Sequence, residues 1–321
     1  MPLLEVKNLS IVYQTRSGPL RAVEEISFTL DEGKTLGFVG ESGCGKSTIG
    51  MALMGLLPPN ASITGGTIRF AGRNLLEMSE DSRRQIRWKE IAMIFQAAMN
   101  ALNPVHRVAD QVAEAILTHT PGISNRSAMA RVAELFKLVK IPENRMSDYP
   151  HQYSGGMKQR AIIAMALACR PALIIADEPT TALDVIVQSQ ILEKIKEIQK
   201  ELNLGILFIS HDISVVADVC DHIGVMYAGQ LIEFGHRETV FESPGHPYTR
   251  ELVGSHLALM GEQCSPRTVP DVSPNLVNPP SGCRFCDRCP TAGDTCRDEA
   301  PEWMQLAGDH RIYCCRSGKS E

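Results

Sequence analysis

The octet Gly40-Glu41-Ser42-Gly43-Cys44-Gly45-Lys46-Ser47 constrains this chain more than any other feature. It matches G-x-x-x-x-G-K-[ST], a pattern whose glycines let backbone N–H groups turn inward around a phosphate. The lysine reaches the outer phosphate oxygens and the hydroxyl of Ser47 ligates Mg²⁺. Such a cradle needs a strand feeding the turn and a helix leaving it with its positive end towards the anion. The apolar TLGFV (35–39) reads as that strand and the stretch from Ser47 to Leu57 as that helix. Thr48 extends the candidate binding set by one residue.

The rest of the chain repeats this rhythm. Residues 1–12 and RAVEEISFTL (21–30) read as strands, with TRSGPL as the turn between them. Residues 106–146 read as helical, with Val132, Leu135, Phe136 and Val139 at spacings of three and four. ALIIA (172–176) and GILFIS (205–210) have buried-strand length and flank the helical QSQILEKIKEIQKEL. The expected fold is α/β, a mostly parallel sheet covered by helices, with an antiparallel N-terminal β region.

Composition narrows the function classes. With 32 Lys+Arg against 37 Asp+Glu the formal charge is −5, which gives no global electrostatic case for nucleic acid. The N-terminal MPLLEVKNLS lacks the basic and apolar regions of a secretory signal. No apolar run approaches the roughly 20 residues needed to span a bilayer. Work at a membrane would then go through partner chains.

Two further motifs complete a chemistry. Leu173-Ile-Ile-Ala-Asp177-Glu178 is an apolar strand ending in two carboxylates, one suited to hold Mg²⁺ through water and one to polarise an attacking water. Ser154-Gly155-Gly156-Met157 places a good N-cap before two glycines, leaving first-turn N–H groups open to an anion. A second glycine in a helix start costs ~1 kcal/mol relative to alanine, so it calls for another explanation.

In order, the cradle, Gln96, the SGG motif, the carboxylate pair, Thr-Ala-Leu-Asp184 and Ser210-His211-Asp resemble an ATP-binding-cassette (ABC) ATPase, over roughly residues 3–240. The resemblance implies that Tyr13 stacks on adenine and that residues 40–48 bind ATP, with Ser47, Gln96 and Asp177 at Mg²⁺. It also implies that Glu178, Lys46 and His211 are the catalytic residues. Ser154, Gly155, Gly156 and Met157 would contact the ATP held by an opposing subunit, and Asp184 would lie in the loop at that interface. Cys44, beside a helix N-terminus, is expected to have a lowered thiol pKa and to be alkylated in competition with ATP.

Beyond the cassette, Ser243-Pro-Gly-His246-Pro247-Tyr248-Thr249-Arg250 and the cysteine-bearing tail resemble the C-terminal extension of dipeptide, oligopeptide and nickel importer ATPases. Residues 96–104 are similar to the stretch of those ATPases that begins at Gln96, and the SGGM motif with IIAMALACRPALIIADEPTTALDV (162–185) resembles the D-type subunit of that unlike ATPase pair. The implied organisation is a nucleotide-binding domain over 1–240, with a helical subdomain at about 97–165, and an extension over 241–321. The implied partners are a second, unlike ABC ATPase, two transmembrane permease subunits and an extracytoplasmic peptide-binding protein. The implied place is the cytoplasmic face of the cell membrane. The alternatives are a nickel importer ATPase and a soluble ABC ATPase without a transport role.

Six of the ten cysteines crowd the end: Cys283, Cys286, Cys289, Cys296, Cys314 and Cys315. Thiolate-only ligation suits either Zn²⁺ or an iron–sulfur cluster, and spacing does not decide between them. The resemblance implies a [4Fe–4S] cluster on Cys283, Cys289, Cys296 and Cys314, with Cys286 and Cys315 as extras.

Overall fold

A computed structural model describes residues 1–96, 101–181, 183–259 and 274–315. The segment 97–100 and Cys264 lie outside the described residues. In chain order the first elements are β1 (Leu4–Thr15), β2 (Gly18–Leu30), β3 (Thr35–Val39), α1 (Lys46–Met54), β4 (Ala61–Phe70) and β5 (Arg73–Asn74). There follow α2 (Glu80–Ile86), β6 (Ile91–Ile94), α3 (Val108–His119), α4 (Asn125–Leu138), α5 (Gly155–Ala166), β7 (Leu173–Asp177), α6 (Val185–Leu202) and β8 (Gly205–Ser210). The last are α7 (Ile213–Val219), β9 (His222–Tyr227), β10 (Gln230–His236), α8 (Arg237–Glu242), α9 (Pro247–Leu259), α10 (Asp294–Asp298), β11 (Trp303–Ala307) and β12 (His310–Tyr313).

These elements form two compact units. One comprises Met1–Leu3, Leu30–Lys34 and Glu77–Phe208; the other comprises Leu4–Thr29, Thr35–Leu76 and the described residues from Ile209 onward. The second unit carries the cradle. Its antiparallel sheet runs β2-β1-β4-β5, with Leu4 opposite Phe70 and Tyr13 opposite Ala61. Its other strands run β11-β12-β10-β9-β3. β3 pairs in parallel with β9, and β9, β10, β12 and β11 are successively antiparallel. Every residue of β3 is buried, as a strand covered on both faces requires.

The first unit carries the carboxylate pair. Its strands run β8-β7-β6, and β6 pairs in parallel with β7 from Ile91 opposite Leu173 to Ile94 opposite Ala176. The chain passes from this unit to the other within β8. Helices α3, α4 and α5 pack together, with Val112, Ala113 and Ile116 of α3 and Val132, Leu135 and Phe136 of α4 buried. The helical stretch expected over 106–146 is thus two helices, parted where Pro121 and Gly122 interrupt the pattern. Among the described residues, no helix is long and apolar enough to cross a membrane.

Candidate functional site

The cradle follows β3 as the sequence predicts. Lys46 is 5% exposed, and its ammonium donates to the carbonyls of Gly40 at 2.6 Å and Glu41 at 2.8 Å. Gly45 caps α1 at φ 103°, and a Cβ there would stand 2.3 Å from the carbonyl oxygen of Ala22, so only glycine fits the turn. Ser47 is exposed in the first turn of α1, where its hydroxyl can reach an ion. One position on, the hydroxyls of Thr48 and Tyr13 lie 3.3 Å apart, which sets Tyr13 beside the cradle helix. His211 is exposed directly after β8, and Asp212 caps α7 by accepting from the main-chain N–H of Ser214 at 2.9 Å.

Cys44 departs from expectation. The thiol is 4% exposed, and burial pushes its pKa up; the Lys46 ammonium, 3.5 Å away, works in the other direction without winning. A helix N-terminus does not activate a thiol that the fold has desolvated.

In the other unit, Asp177 ends β7 and is 4% exposed. Glu178 follows at φ 45°, a left-handed conformation costing a non-glycine residue roughly 1–2 kcal/mol. Its Oε2 accepts from Nε2 of Gln96 at 2.8 Å and from the hydroxyl of Thr181 at 2.9 Å. Ser154 caps α5 by accepting from the Met157 N–H at 3.3 Å. Asp184 caps α6 by accepting from the Val187 N–H at 2.9 Å. A Cβ on Gly156 would stand 2.7 Å from Cγ1 of the same Val187. The second glycine thus has a packing reason beside any anion-binding one: it lets the start of α5 approach the start of α6.

Three residues of the cradle unit escaped the sequence reading. Glu233, fully buried on β10, accepts from the main-chain N–H groups of Gly245 at 2.7 Å and His246 at 2.8 Å, and its carboxylate meets Nε2 of His310 at 2.7 Å. This fixes the start of α9, and with it Tyr248, which bonds the cradle at Glu41. Arg288, between two of the tail cysteines, pairs with the carboxylate of the same Glu41 at 2.7 Å. The only signal for Tyr248 lay in the His-Pro-Tyr-Thr-Arg segment, and Arg288 had none.

The tail thiols gather. Burial raises the Cys283 thiol to about 12, with the nearby Cys315, Cys314 and Cys289 adding to the shift. Burial also raises Cys315 to about 11, and its side chain is hydrogen-bonded to Cys296. The main chain of Cys283 donates to the carbonyl of Cys296 at 2.8 Å. Among the described residues, however, no group of three or more His, Cys, Asp or Glu is placed to hold a metal ion.

Comparison with known proteins agrees with this geometry. The ABC transporter family profile matches residues 23–181, and the profile described as "Oligopeptide/dipeptide transporter, C-terminal region" matches residues 232–296. The dipeptide transport ATP-binding protein DppD of Bacillus subtilis is 45% identical over 97% of this chain and 94% of its own length. The oligopeptide transport ATP-binding protein OppD of Salmonella typhimurium is 46% identical over 98% and 93%. Among solved structures, the ATP-binding cassette MJ0796 bound to ADP and Pi superposes with a TM-score of 0.66 at 26% identity, covering 73% of this chain and 98% of its own. The cassette fold and the ATPase chemistry are therefore those of ABC proteins, and the chain belongs to the ABC transporter ATP-binding family, among members that carry the oligopeptide/dipeptide transporter C-terminal region.

Proposed function

We propose that this chain is the ATP-hydrolysing subunit of an importer of dipeptides or short oligopeptides, working through separate permease subunits. One observation carries the reading: a phosphate cradle, a strand-end carboxylate pair and an oligopeptide/dipeptide-type C-terminal region occur on one chain whose relatives align over nearly its whole length.

Residues 40–48 bind the ATP phosphates, Lys46 taking the β/γ oxygens, and Tyr13 stacks on the adenine. Ser47, Gln96 and Asp177 would hold Mg²⁺, which when bound would neutralise charge developing on the transferred phosphoryl group. Glu178 orients and deprotonates the attacking water, its carboxylate fixed by Gln96 and Thr181. His211 contacts the γ-phosphate. Ser154, Gly155, Gly156 and Met157 cap the γ-phosphate on a second, unlike ATPase, with Asp184 in the loop at that interface. Each ATP then needs two chains, and a peptide-binding protein outside the membrane delivers cargo to the two permeases.

The test is reconstitution in proteoliposomes with candidate permeases, the second ATPase and the binding protein. Peptide-stimulated ATP hydrolysis with peptide uptake is expected, and the isolated chain should be a poor ATPase. Full turnover by the chain alone would refute the shared-site reading, and uptake of nickel without peptide would refute the cargo.

The same reading gives the tail a [4Fe–4S] cluster on Cys283, Cys289, Cys296 and Cys314, as a staple for a segment too small to bury its own core. The soft, all-sulfur donor set and the gathered thiols support it. Protein purified without oxygen should be brown with about four irons per chain. Substituting serine at any of the four positions should bleach it, and at Cys286 should not. Colourless protein holding one zinc would overturn the assignment.

A further inference from the structure

Glu41, the second residue of the cradle, is held at two points from far along the chain. Its main-chain N–H donates to the hydroxyl of Tyr248 at 3.0 Å, 207 positions away. Its carboxylate accepts from Nη1 of Arg288 at 2.7 Å, 247 positions away. Nη2 of Arg288 donates to Glu251 on α9 at 3.2 Å, so one guanidinium bridges the cradle and the helix that carries Tyr248. That guanidinium lies 5.6 Å from the ring of Tyr227, 5.9 Å from Tyr248 and 5.6 Å from Phe285. The three rings pack on one another with centroids 4.9, 5.2 and 5.5 Å apart.

A second route reaches the same loop. Arg284 donates to the carbonyl of Ala228 and pairs with Glu24, fixing the turn between β9 and β10. The N–H of Gly229 in that turn donates to the carbonyl of Cys44 at 3.1 Å. Arg284, Phe285 and Arg288 all project from the tight turns between Cys283 and Cys289, where Cys286 N–H donates to the Cys283 carbonyl at 3.0 Å and Arg288 N–H to that of Phe285 at 3.0 Å.

We propose that the C-terminal region is a clamp on the phosphate cradle, with Tyr248 and Arg288 as positioning residues that pre-form the ATP site. Gly40, Gly43 and Gly45 all have positive φ, so the loop is made of residues with much freedom to lose when it orders around a phosphate. Bonds to the N–H and carboxylate of Glu41 and to the carbonyl of Cys44 order it beforehand, from outside. Binding to a pre-ordered loop avoids that entropic cost. Arg288 suits the task because its fork reaches two carboxylates at once and stacks on rings, which a lysine cannot do. The clamp acts on nucleotide affinity and leaves the hydrolytic step, which belongs to Glu178, untouched.

The inference rests on the cradle being the ATP site, and the experiment separates the two. ATP is titrated calorimetrically into full-length wild type, Tyr248→Phe, Arg288→Met, Arg288→Lys and Glu251→Gln, and the melting temperature of each is recorded. Tyr248→Phe removes one oxygen and keeps the ring in its packing, so it folds even if Arg288→Met does not. Tyr248→Phe and Arg288→Met are expected to weaken ATP binding about three- to tenfold, the range of one lost hydrogen bond. Arg288→Lys should recover part of the loss, and Glu251→Gln, which weakens only the guanidinium's second anchor, should reduce affinity less than Arg288→Met. Within the assembled transporter the two weakened variants should raise KM for ATP with kcat unchanged. Adding Glu41→Gln to Arg288→Met should cost no more than the larger single loss, since both break one contact. Wild-type affinity in Tyr248→Phe and Arg288→Met overturns the clamp. A loss in Tyr248→Phe and Arg288→Met that merely tracks melting temperature overturns it too. A wild-type chain that binds no ATP refutes the cradle reading itself.

Discussion

Nε2 of Gln96 donates to Oε2 of Glu178 at 2.8 Å, joining two residues 82 positions apart in the unit that carries the carboxylate pair. On the proposed reading, a residue that would hold Mg²⁺ thus orients the residue that would activate the attacking water. Glu178 is held there in a left-handed conformation that it would not adopt unaided. Glu178→Gln preserves size and hydrogen-bonding capacity but cannot accept a proton as a base. Steady-state hydrolysis should fall about 100-fold or more, as for loss of a general base, while ATP binding persists and the closed ATPase pair accumulates. Near-normal hydrolysis by the substituted complex would remove Glu178 from its assigned role.

The cradle glycines are not equivalent. At Gly45 a Cβ would stand 2.3 Å from the Ala22 carbonyl oxygen at φ 103°, whereas at Gly43, φ 81°, it would meet nothing within 4 Å. Gly43→Ala should therefore show only backbone strain, about 1–2 kcal/mol. Gly45→Ala adds a clash with main chain that cannot rotate away, and should cost at least about 3 kcal/mol. Urea unfolding of the two variants checks the ordering, and equal losses would mean that the clash is relieved elsewhere.

The sequence carried the motifs and most of the strands they sit on, because each needs a local pattern: β3 and β8 have the bounds their apolar runs suggest. β4 stayed hidden because Gly65 and Gly66 break its alternation. Gly66 takes φ 93° where a Cβ would stand 2.5 Å from the carbonyls of Lys7 and Asn8, next to the register shift against β1. Glu233 and Arg288 were illegible for a different reason. Each is a charged residue whose burial depends on partners tens to hundreds of positions away, and nothing in its neighbours along the chain records that.

Cys44 bears on how the cradle meets thiol reagents. With its thiol raised by burial, the thiolate fraction near neutrality is below that of an ordinary cysteine. Alkylation should be slower than for a free thiol at pH 7, and its rate should go on climbing with pH past the ordinary thiol range near 8.5. Mass-spectrometric labelling of Cys44 across pH, with and without ATP, measures this. Fast labelling at neutral pH would show that the thiol is not desolvated in solution.

His246 ties the start of α9 to pH. Burial lowers its pKa from 6.5 to about 4, while the charge of Glu233 works the other way less strongly. Its Nδ1 accepts from the main-chain N–H of Tyr248 at 3.1 Å, a bond that only a ring unprotonated at that nitrogen can accept. In the unfolded chain the imidazole takes its proton near pH 6.5, and in the folded chain it resists down to about pH 4. The unfolded state therefore binds more protons across that interval. The contribution of His246 to stability is fully present above pH 6.5, declines as pH falls towards 4 and changes no further below it. The total loss is about 3 kcal/mol, since each tenfold difference in proton affinity between the two states is worth roughly 1.4 kcal/mol. His246→Asn keeps an acceptor for the Tyr248 N–H and does not titrate. Comparing denaturant unfolding of wild type and His246→Asn at pH 7.5, 6, 5 and 4 should show the two curves converging in slope above pH 6.5 and wild type losing more stability below it. Parallel curves throughout would mean that His246 is solvated, and that the contact between α9 and the cradle is looser than the Tyr248 bond to Glu41 implies.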